Sequence, residues 1–233
     1  MGGLREGALS GFVVAIDGPA GAGKSSVSKA VAQRLGFALV DTGALYRCIG
    51  YAALEAGITE DDNEALGVLA QGAEISFVTE SKRNRVFLGE TEVTGLIRTP
   101  QVSAVASKVS AQPAVRAALM EQQRRLGRRP PGAVLEGRDI GTVVFPDASL
   151  KVFLTATPGE RARRRARDLE AAGEVVDLQA LEAQIAERDA RDSGRAIAPL
   201  KCADDGLELI SDGLTIDQVV DRIVTWAKDR GAS

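Results

Sequence analysis

The chain has 233 residues, 45% of them hydrophobic and 26% charged, with a formal net charge of −3, and a chain of this length buries enough surface to fold without a disulfide or structural metal. It has no histidine, which excludes a Ser-His-Asp triad, a His-ligated zinc and an imidazole base. Cys48 and Cys202 lack metal or redox spacing, the longest uncharged run covers residues 7–16, and the charge balance is acidic; the expectation is a cytoplasmic monomer with small-molecule partners, no nucleic acid and no membrane.

Phe12-Val-Val-Ala-Ile16 is an apolar run of strand type, followed by a glycine-rich turn and by Val27, Val31 and Leu35 at helical spacing. Strand, loop, helix is the order of a βα unit. Residues 38–40 predict a second strand, and residues 45–56 a helix ended by Gly57. From 73 to 93 the pattern turns β-rich, with Glu74–Val78 and Arg85–Leu88 as the arms of a hairpin that reads as an insert. Residues 101–109 and 113–126 predict helices, and Arg128-Arg-Pro-Pro-Gly132 a break before core strands at 133–136 and 150–154. Pro158 suits the first turn of a helix carrying Arg161, Arg163, Arg164, Arg165 and Arg167; were this helix solvent-facing, Asp168 and Glu170 would pair with some of its charges. Asp177 is placed to cap a further helix with an apolar face of Leu178, Leu181 and Ile185. Beyond that face Arg188, Asp192 and Arg195 share one side as long as the helix survives Gly194. A strand at 207–210 and a capping box, Thr215-Ile-Asp-Gln218, opening a helix that buries Val219, Ile223 and Trp226, complete the order. Alternating strands and helices imply an α/β fold with a parallel core sheet flanked by helices.

Gly18-Pro-Ala-Gly-Ala-Gly23-Lys24-Ser25 fits the G-x-x-x-x-G-K-S/T phosphate-binding loop. The glycines let successive N–H groups turn inward toward phosphate oxygens at the positive end of the next helix. The loop assigns ATP to Gly18, Pro19, Ala20, Gly21, Ala22, Gly23, Lys24, Ser25 and Ser26; Lys24 reaches the β- and γ-phosphates and Ser25 holds Mg²⁺. None of the seven lysines is followed two residues later by aspartate, so a guanine-reading segment is missing, and no acidic pair ends a hydrophobic strand. Both losses favour group transfer over nucleotide hydrolysis.

Arginine supplies 22 of the 29 basic residues. Guanidinium forks suit phosphate recognition, although a GC-rich genome gives the same bias. Asp41-Thr-Gly-Ala-Leu-Tyr-Arg47 and Glu136-Gly-Arg138-Asp139 each follow a core strand, at the edge where ligands of parallel sheets collect. If both strands flank the loop, Arg47 and Arg138 converge near the γ-phosphate; a solvated helix face is the alternative for Arg47. The stretch from Arg161 to Arg195 is dense in arginine and suits a lid over phosphates, with a solvent-facing helix as the alternative for 161–167. A phosphate monoester attacks as an oxyanion and needs no base, which suits a chain rich in arginine and without histidine.

The chain resembles the bacterial cytidylate kinases, a family of P-loop nucleoside monophosphate kinases, from about Val13 to Trp226. The resemblance rests on residues 17–25, 41–47, Ile97-Arg-Thr99, Gly137-Arg-Asp-Ile-Gly-Thr-Val-Val-Phe-Pro-Asp-Ala148 and Glu187-Arg-Asp-Ala-Arg-Asp-Ser-Gly-Arg-Ala-Ile-Ala-Pro-Leu200. It implies Mg²⁺-dependent transfer of the ATP γ-phosphoryl group to CMP or dCMP, in the P-loop nucleoside monophosphate kinase fold with a β-containing acceptor-binding insert and a helical lid. The implied single domain covers 11–233, with a core at about 11–58, 116–156 and 199–230, an acceptor lobe at about 59–115 and a lid at about 157–198; residues 1–10 are expected to be a disordered extension.

By the same resemblance Thr42, Ser107, Arg116 and Asp139 surround the pyrimidine nucleoside, Arg47, Arg138 and Arg195 hold the monophosphate, and Arg188 and Asp192 lie by sugar and phosphate. Lys24, Arg138, Arg188 and Arg195 are the implied catalytic charges, and Glu136 approaches the metal through a water. On their residues alone Ser107 and Arg116 are polar helix positions. Thr42 and Glu136 depart from the Ser and Asp that the family often carries. A kinase of the same fold for UMP or a hydroxy-acid, and a nucleotide-binding module without turnover, remain as alternatives.

Overall fold

A computed structural model describes residues 11–80, 83–171 and 173–232; residues 1–10, 81–82, 172 and 233 lie outside the described residues. Five strands form the central sheet: β1 (Phe12–Asp17), β2 (Ala38–Asp41), β6 (Gly132–Gly137), β7 (Leu150–Thr155) and β8 (Leu207–Ile210). Their order is β2-β6-β1-β7-β8, and every pairing is parallel. The predicted α/β class with a parallel core sheet is therefore what the chain adopts. Ile16 pairs with Glu136 and Glu136 with Asp41, so these strands end level and deliver Asp17, Glu136 and Asp41 to one edge. That edge is the carboxyl end, where the loops of a parallel sheet carry ligands.

Alternate residues of each strand point to opposite faces, and both faces are covered. Val14, Ile16, Val134 and Val152 pack beneath α1 (Lys24–Leu35) and α8 (Ile216–Asp229), against Val27, Val31, Val220 and Ile223. Val13, Ala15, Val40 and Leu135 face the other way, toward Leu126, Ile140, Val144 and Phe145.

A separate cluster joins α2 (Thr42–Glu55), α3 (Asn63–Gly72), α4 (Pro100–Val109) and α5 (Pro113–Gly127) around Leu45, Ile49, Leu66 and Leu119. Beside it β3 (Ile75–Glu80), β4 (Arg83–Leu88) and β5 (Thr91–Glu92) make an antiparallel sheet, the expected β-rich insert. A fourth, small cluster holds α6 (Pro158–Ala171) to α7 (Leu178–Ser193) through Ala162, Ala166, Leu181 and Ile185.

Several boundaries differ from the sequence reading. Helix α2 begins at Thr42, three residues before the predicted start, because the Asp41 carboxylate accepts from the Ala44 N–H at 2.9 Å and caps it. Helix α3 has no counterpart among the predicted elements. Its middle residue, Gly67, weakens the helical signal, yet a Cβ there would lie 2.6 Å from that of Ala114, so close packing on α5 requires the glycine. Helix α7 stops at Ser193 and does not continue through Gly194, whose N–H closes the last turn on Ala190. Leu178 is 40% exposed and leaves the apolar face of α7 to Leu181 and Ile185. No helix among the described residues is long and apolar enough to cross a membrane.

The predicted capping box is present: Thr215 Oγ1 accepts from the Gln218 N–H, and the Gln218 side chain accepts from the Thr215 N–H. Thr215→Ala should lower the unfolding free energy by about 1 kcal/mol in urea titration, with catalytic constants unchanged.

Candidate active site

The loop between β1 and α1 is shaped by glycines that no other residue replaces. A Cβ on Gly18 would lie 1.9 Å from the Leu154 carbonyl oxygen, and Gly21 and Gly23 have φ of 76° and 88°. No side chain caps α1, so its first N–H groups and its positive end open onto the loop. Lys24 curls back, its Nζ donating to the carbonyls of Gly18 at 2.8 Å and Pro19 at 2.7 Å. Burial holds its pKa well below the usual lysine value, and repulsion from Arg138 and Arg188 adds to this against the attraction of Glu136 and Asp17.

Three carboxylates from the level strand ends stand beside the loop. Asp17 accepts from the backbone N–H groups of Ile140 at 2.9 Å and Gly141 at 2.7 Å, which ties β1 to the single π turn Ile140–Val144. Burial raises its pKa to about 6. Glu136 Oε2 accepts from Ser25 Oγ at 2.9 Å, and burial followed by repulsion from Asp41 raises the Glu136 pKa to about 7. Thr42 Oγ1 donates to the Glu136 carbonyl at 2.6 Å, and Asp41 accepts from Arg47 Nη2 at 2.7 Å.

Four arginines face one another across this edge. Asp192 accepts from Arg138 Nε at 2.9 Å and Arg195 Nη2 at 2.6 Å, and Arg188 Nε lies 4.0 Å away. The three arginines hold the Asp192 carboxyl below its usual range in spite of burial. Burial, then repulsion from Arg138 and, more weakly, from Arg47 and Arg195, lowers the Arg188 pKa to about 10. Nε atoms of Arg47, Arg188 and Arg195 are buried with no protein partner. The Arg47 and Arg138 that the strand-end motifs supply thus converge with Arg188 and Arg195 from α7 and the turn after it. Arg195 arrives although the helix ends before it, because the Leu200 N–H closes on the Asp192 carbonyl at 2.9 Å and folds the chain back.

A second polar group lies next to this cluster. Arg116 and Asp139, 4% and 5% exposed, form an ion pair through Arg116 Nη2 and Asp139 Oδ2. Arg116 Nη1 also donates to the Ser110 carbonyl at 3.2 Å, and its guanidinium sits 5.9 Å from the Tyr46 ring centre. Ser107, 5% exposed, accepts from Arg191 Nη1 at 3.4 Å. Ser107 and Arg116 are therefore buried, not positions on a solvated helix face.

The arginine-dense helix divides by side. Arg161 and Arg164 turn inward to the phosphate-binding loop, while Arg163, Arg165 and Arg167 are exposed. Arg163, Arg164 and Arg167 pair with Glu160 rather than with Asp168 or Glu170, Arg163 and Arg164 lying three and four residues on, on the same face. Ser25 and Ser26 lie exposed on the first turn of α1, and only Ser25 bonds into the group. A hollow of about 380 Å³ beside α3 and β3, lined in part by Ala70, Ile75, Gln122 and Arg125, contains none of these residues; convergence of charge marks the site better than concavity.

Ser25 and Glu136 offer two hard oxygens in contact beside Lys24, which suits Mg²⁺ better than a softer metal. Among the described residues no group of three or more acidic, His or Cys side chains could hold a metal. An ion here would complete its shell from phosphate oxygens and water.

A family model described as cytidylate kinase matches residues 14–229. The chain belongs to the cytidylate kinase family. It is 51% identical over 221 residues to the cytidylate kinase of Pseudomonas paraeruginosa, covering 94% of this chain and 96% of that protein. It is also 51% identical over 224 residues to a bifunctional pantoate ligase/cytidylate kinase of Synechococcus elongatus, and spans 42% of that protein's length. The crystal structure of an uncharacterized protein from Eubacterium ventriosum superposes with a TM-score of 0.50 at 11% identity, covering 93% of this chain and 98% of that one, a likeness of fold alone.

Several side chains in this family member's polar cluster carry no role in the sequence reading: Asp17, Tyr46, Ser110, Asp189 and Arg191. Asp17 had a signal, since a carboxylate ending a buried apolar strand must find donors. The others depend on contacts between distant segments.

The raised carboxyl groups set a pH dependence. Between its ordinary value of 3.8 and about 6, Asp17 keeps in the fold a proton that the unfolded chain releases. Its contribution to stability is full below about pH 4 and is lost as pH rises through about 6. Asp17→Asn should flatten this fall, an effect on the order of 3 kcal/mol, in urea titrations at constant salt; an unchanged slope would remove Asp17 as its source.

Proposed function

We propose that the chain transfers the γ-phosphoryl group of ATP to CMP or dCMP, giving ADP and CDP or dCDP, as a Mg²⁺-dependent cytoplasmic monomer. The observation that carries this reading is the meeting of Lys24, Arg47, Arg138, Arg188 and Arg195 beside the phosphate-binding loop, next to the buried Arg116–Asp139 pair. In this reading residues 59–115 form the acceptor lobe and residues 157–198 the lid, on a core made of the remaining described segments.

Two polyanions must be brought into contact, and the five cations offset their repulsion. The loop N–H groups and Lys24 take the β- and γ-phosphates of ATP. Arg47, Arg138 and Arg195 take the acceptor monophosphate, and Arg188, facing Lys24 and Arg138, stands where charge builds on the transferring group. The attacking atom is a phosphate oxygen that already carries charge, so no base is needed. Catalysis is then positioning and charge neutralisation. Ser25, with Glu136 beside it, would hold Mg²⁺, which when bound spreads the charge of the phosphate oxygens.

The base is read by groups of fixed polarity. Cytosine presents an amino donor at N4 and acceptors at N3 and O2. Asp139 gives one carboxylate oxygen to Arg116, and its other oxygen suits the amino group. Further N–H groups of Arg116 suit the acceptors. Uracil would set a carbonyl oxygen against Asp139.

ADP release measured with ATP, Mg²⁺ and each of AMP, CMP, dCMP, GMP and UMP tests the reading. CMP and dCMP should be the best acceptors, and no release with any of them would overturn it. Asp139→Asn should raise the UMP-to-CMP ratio of kcat/KM by about tenfold or more; a constant ratio would remove Asp139 from base reading. Lys24→Ala should keep the fold, by circular dichroism, and lower kcat by about 10²-fold or more.

A further inference from the structure

The inner side of the phosphate-binding loop faces the cation cluster, but its outward carbonyls are held too, by a residue of α6. Arg161 is 5% exposed and donates from Nη1 to the Ala20 carbonyl at 3.0 Å and from Nε to the Ala156 carbonyl at 3.0 Å. It packs so closely that a Cβ on Gly21 would lie 3.1 Å from the Arg161 Cβ. The same Nη1 meets Asp189 Oδ2 of α7 at 2.5 Å, and Asp189 Oδ1 is buried without a partner. A carboxylate kept half desolvated is costly, and its neutral replacement would serve helix packing as well.

Asp189 follows Arg188 directly and precedes Asp192 by three residues. The helix thus reaches the loop through Asp189 and Arg161, and the arginine cluster through Arg188 and Asp192. On the far side Arg191 and Arg195 donate to Ser107 at 3.4 Å and Ser110 at 3.0 Å, one turn apart at the end of α4. Helix α7 and the turn after it therefore bond to both segments, while few apolar contacts fix the helix to anything but α6.

We propose that Asp189 and Arg161 are positioning residues that couple the ATP loop to the acceptor site through α7, so that each nucleotide binds more tightly when the other is present. This rests on the kinase reading. The ion pair sets the place of α7 relative to the loop; the placed helix in turn presents Arg188, Asp192 and Arg191 to the acceptor, and the turn after it presents Arg195. Whatever fixes the loop lowers the ordering cost of the second binding step, and the effect is reciprocal.

The experiment is calorimetric titration of the full chain with a non-hydrolysable ATP analogue and Mg²⁺, alone and with saturating CMP. In the wild type CMP should tighten analogue binding by about fivefold or more. Asp189→Ala should bring that factor below about twofold while each nucleotide alone binds within about threefold of wild type, and Asp189→Asn, which keeps an oxygen for Arg161, should recover part of it. Arg161→Lys, which retains charge but cannot reach the Ala20 and Ala156 carbonyls together, should lose the factor as well and serves if Asp189→Ala fails to fold in a thermal melt. An equal factor in wild type and folded Asp189→Ala or Arg161→Lys, or a wild-type factor of one, overturns the coupling. Failure of either nucleotide to bind the wild type overturns the kinase reading instead.

Discussion

The site depends on one buried carboxylate. Asp192 is 1% exposed and stands among Arg138, Arg188 and Arg195. Two like charges at 4 Å repel by about 4 kcal/mol at the effective dielectric of a protein surface, so such a set of guanidiniums separates unless something negative sits among them. One carboxylate offsets part of that repulsion, and the remainder is the attraction the site holds for an anion. Removal of Asp192 would cost order, and a second carboxylate there would cost affinity.

How α7 is held decides how the site responds to charge. The central sheet is sealed on both faces by large aliphatic clusters, so the strand ends that carry Asp17, Glu136 and Asp41 are fixed by packing. Helix α7 rests on α6 through a cluster of four small or medium side chains, and otherwise through ion pairs and hydrogen bonds. Local stability follows buried apolar contact. The fixed half of the site therefore lies on the sheet, and the half able to adjust to phosphates is held by the charges that phosphates compete for.

What could be read from the sequence was local. The phosphate-binding loop, the strand before it, the Asp177 cap and the Thr215 capping box each involve a few adjacent residues whose chemistry has one use. Helix α3 was hidden because Gly67 answers to Ala114, a contact across the fold that no window reveals. The burial of Ser107 and Arg116 could not be read from periodicity, since their partners, Arg191 of α7 and Asp139 after β6, come from distant segments; the family resemblance alone pointed to them. The arginines of α6 were read as one group, yet the helix turns Arg161 to the loop carbonyls and Arg163 to solvent, a division set by the small side chains Ala162 and Ala166 that seat it against α7.

The two departures from the family pattern meet in one place. Thr42 donates its hydroxyl to the carbonyl of Glu136, and the two are 3% and 5% exposed. A Cβ on Gly137 would lie 2.9 Å from that hydroxyl, so the chain beside it must stay bare. The Thr42 hydroxyl thus ties the start of α2 to the end of β6. The added methylene of Glu136 then works from a fixed base, and its carboxylate spans the gap from β6 to Ser25 on α1 at 2.9 Å. That hydrogen bond holds the backbone from which Glu136 reaches, and the hydroxyl and carboxylate proposed to face the metal stay in contact between α1 and the end of β6.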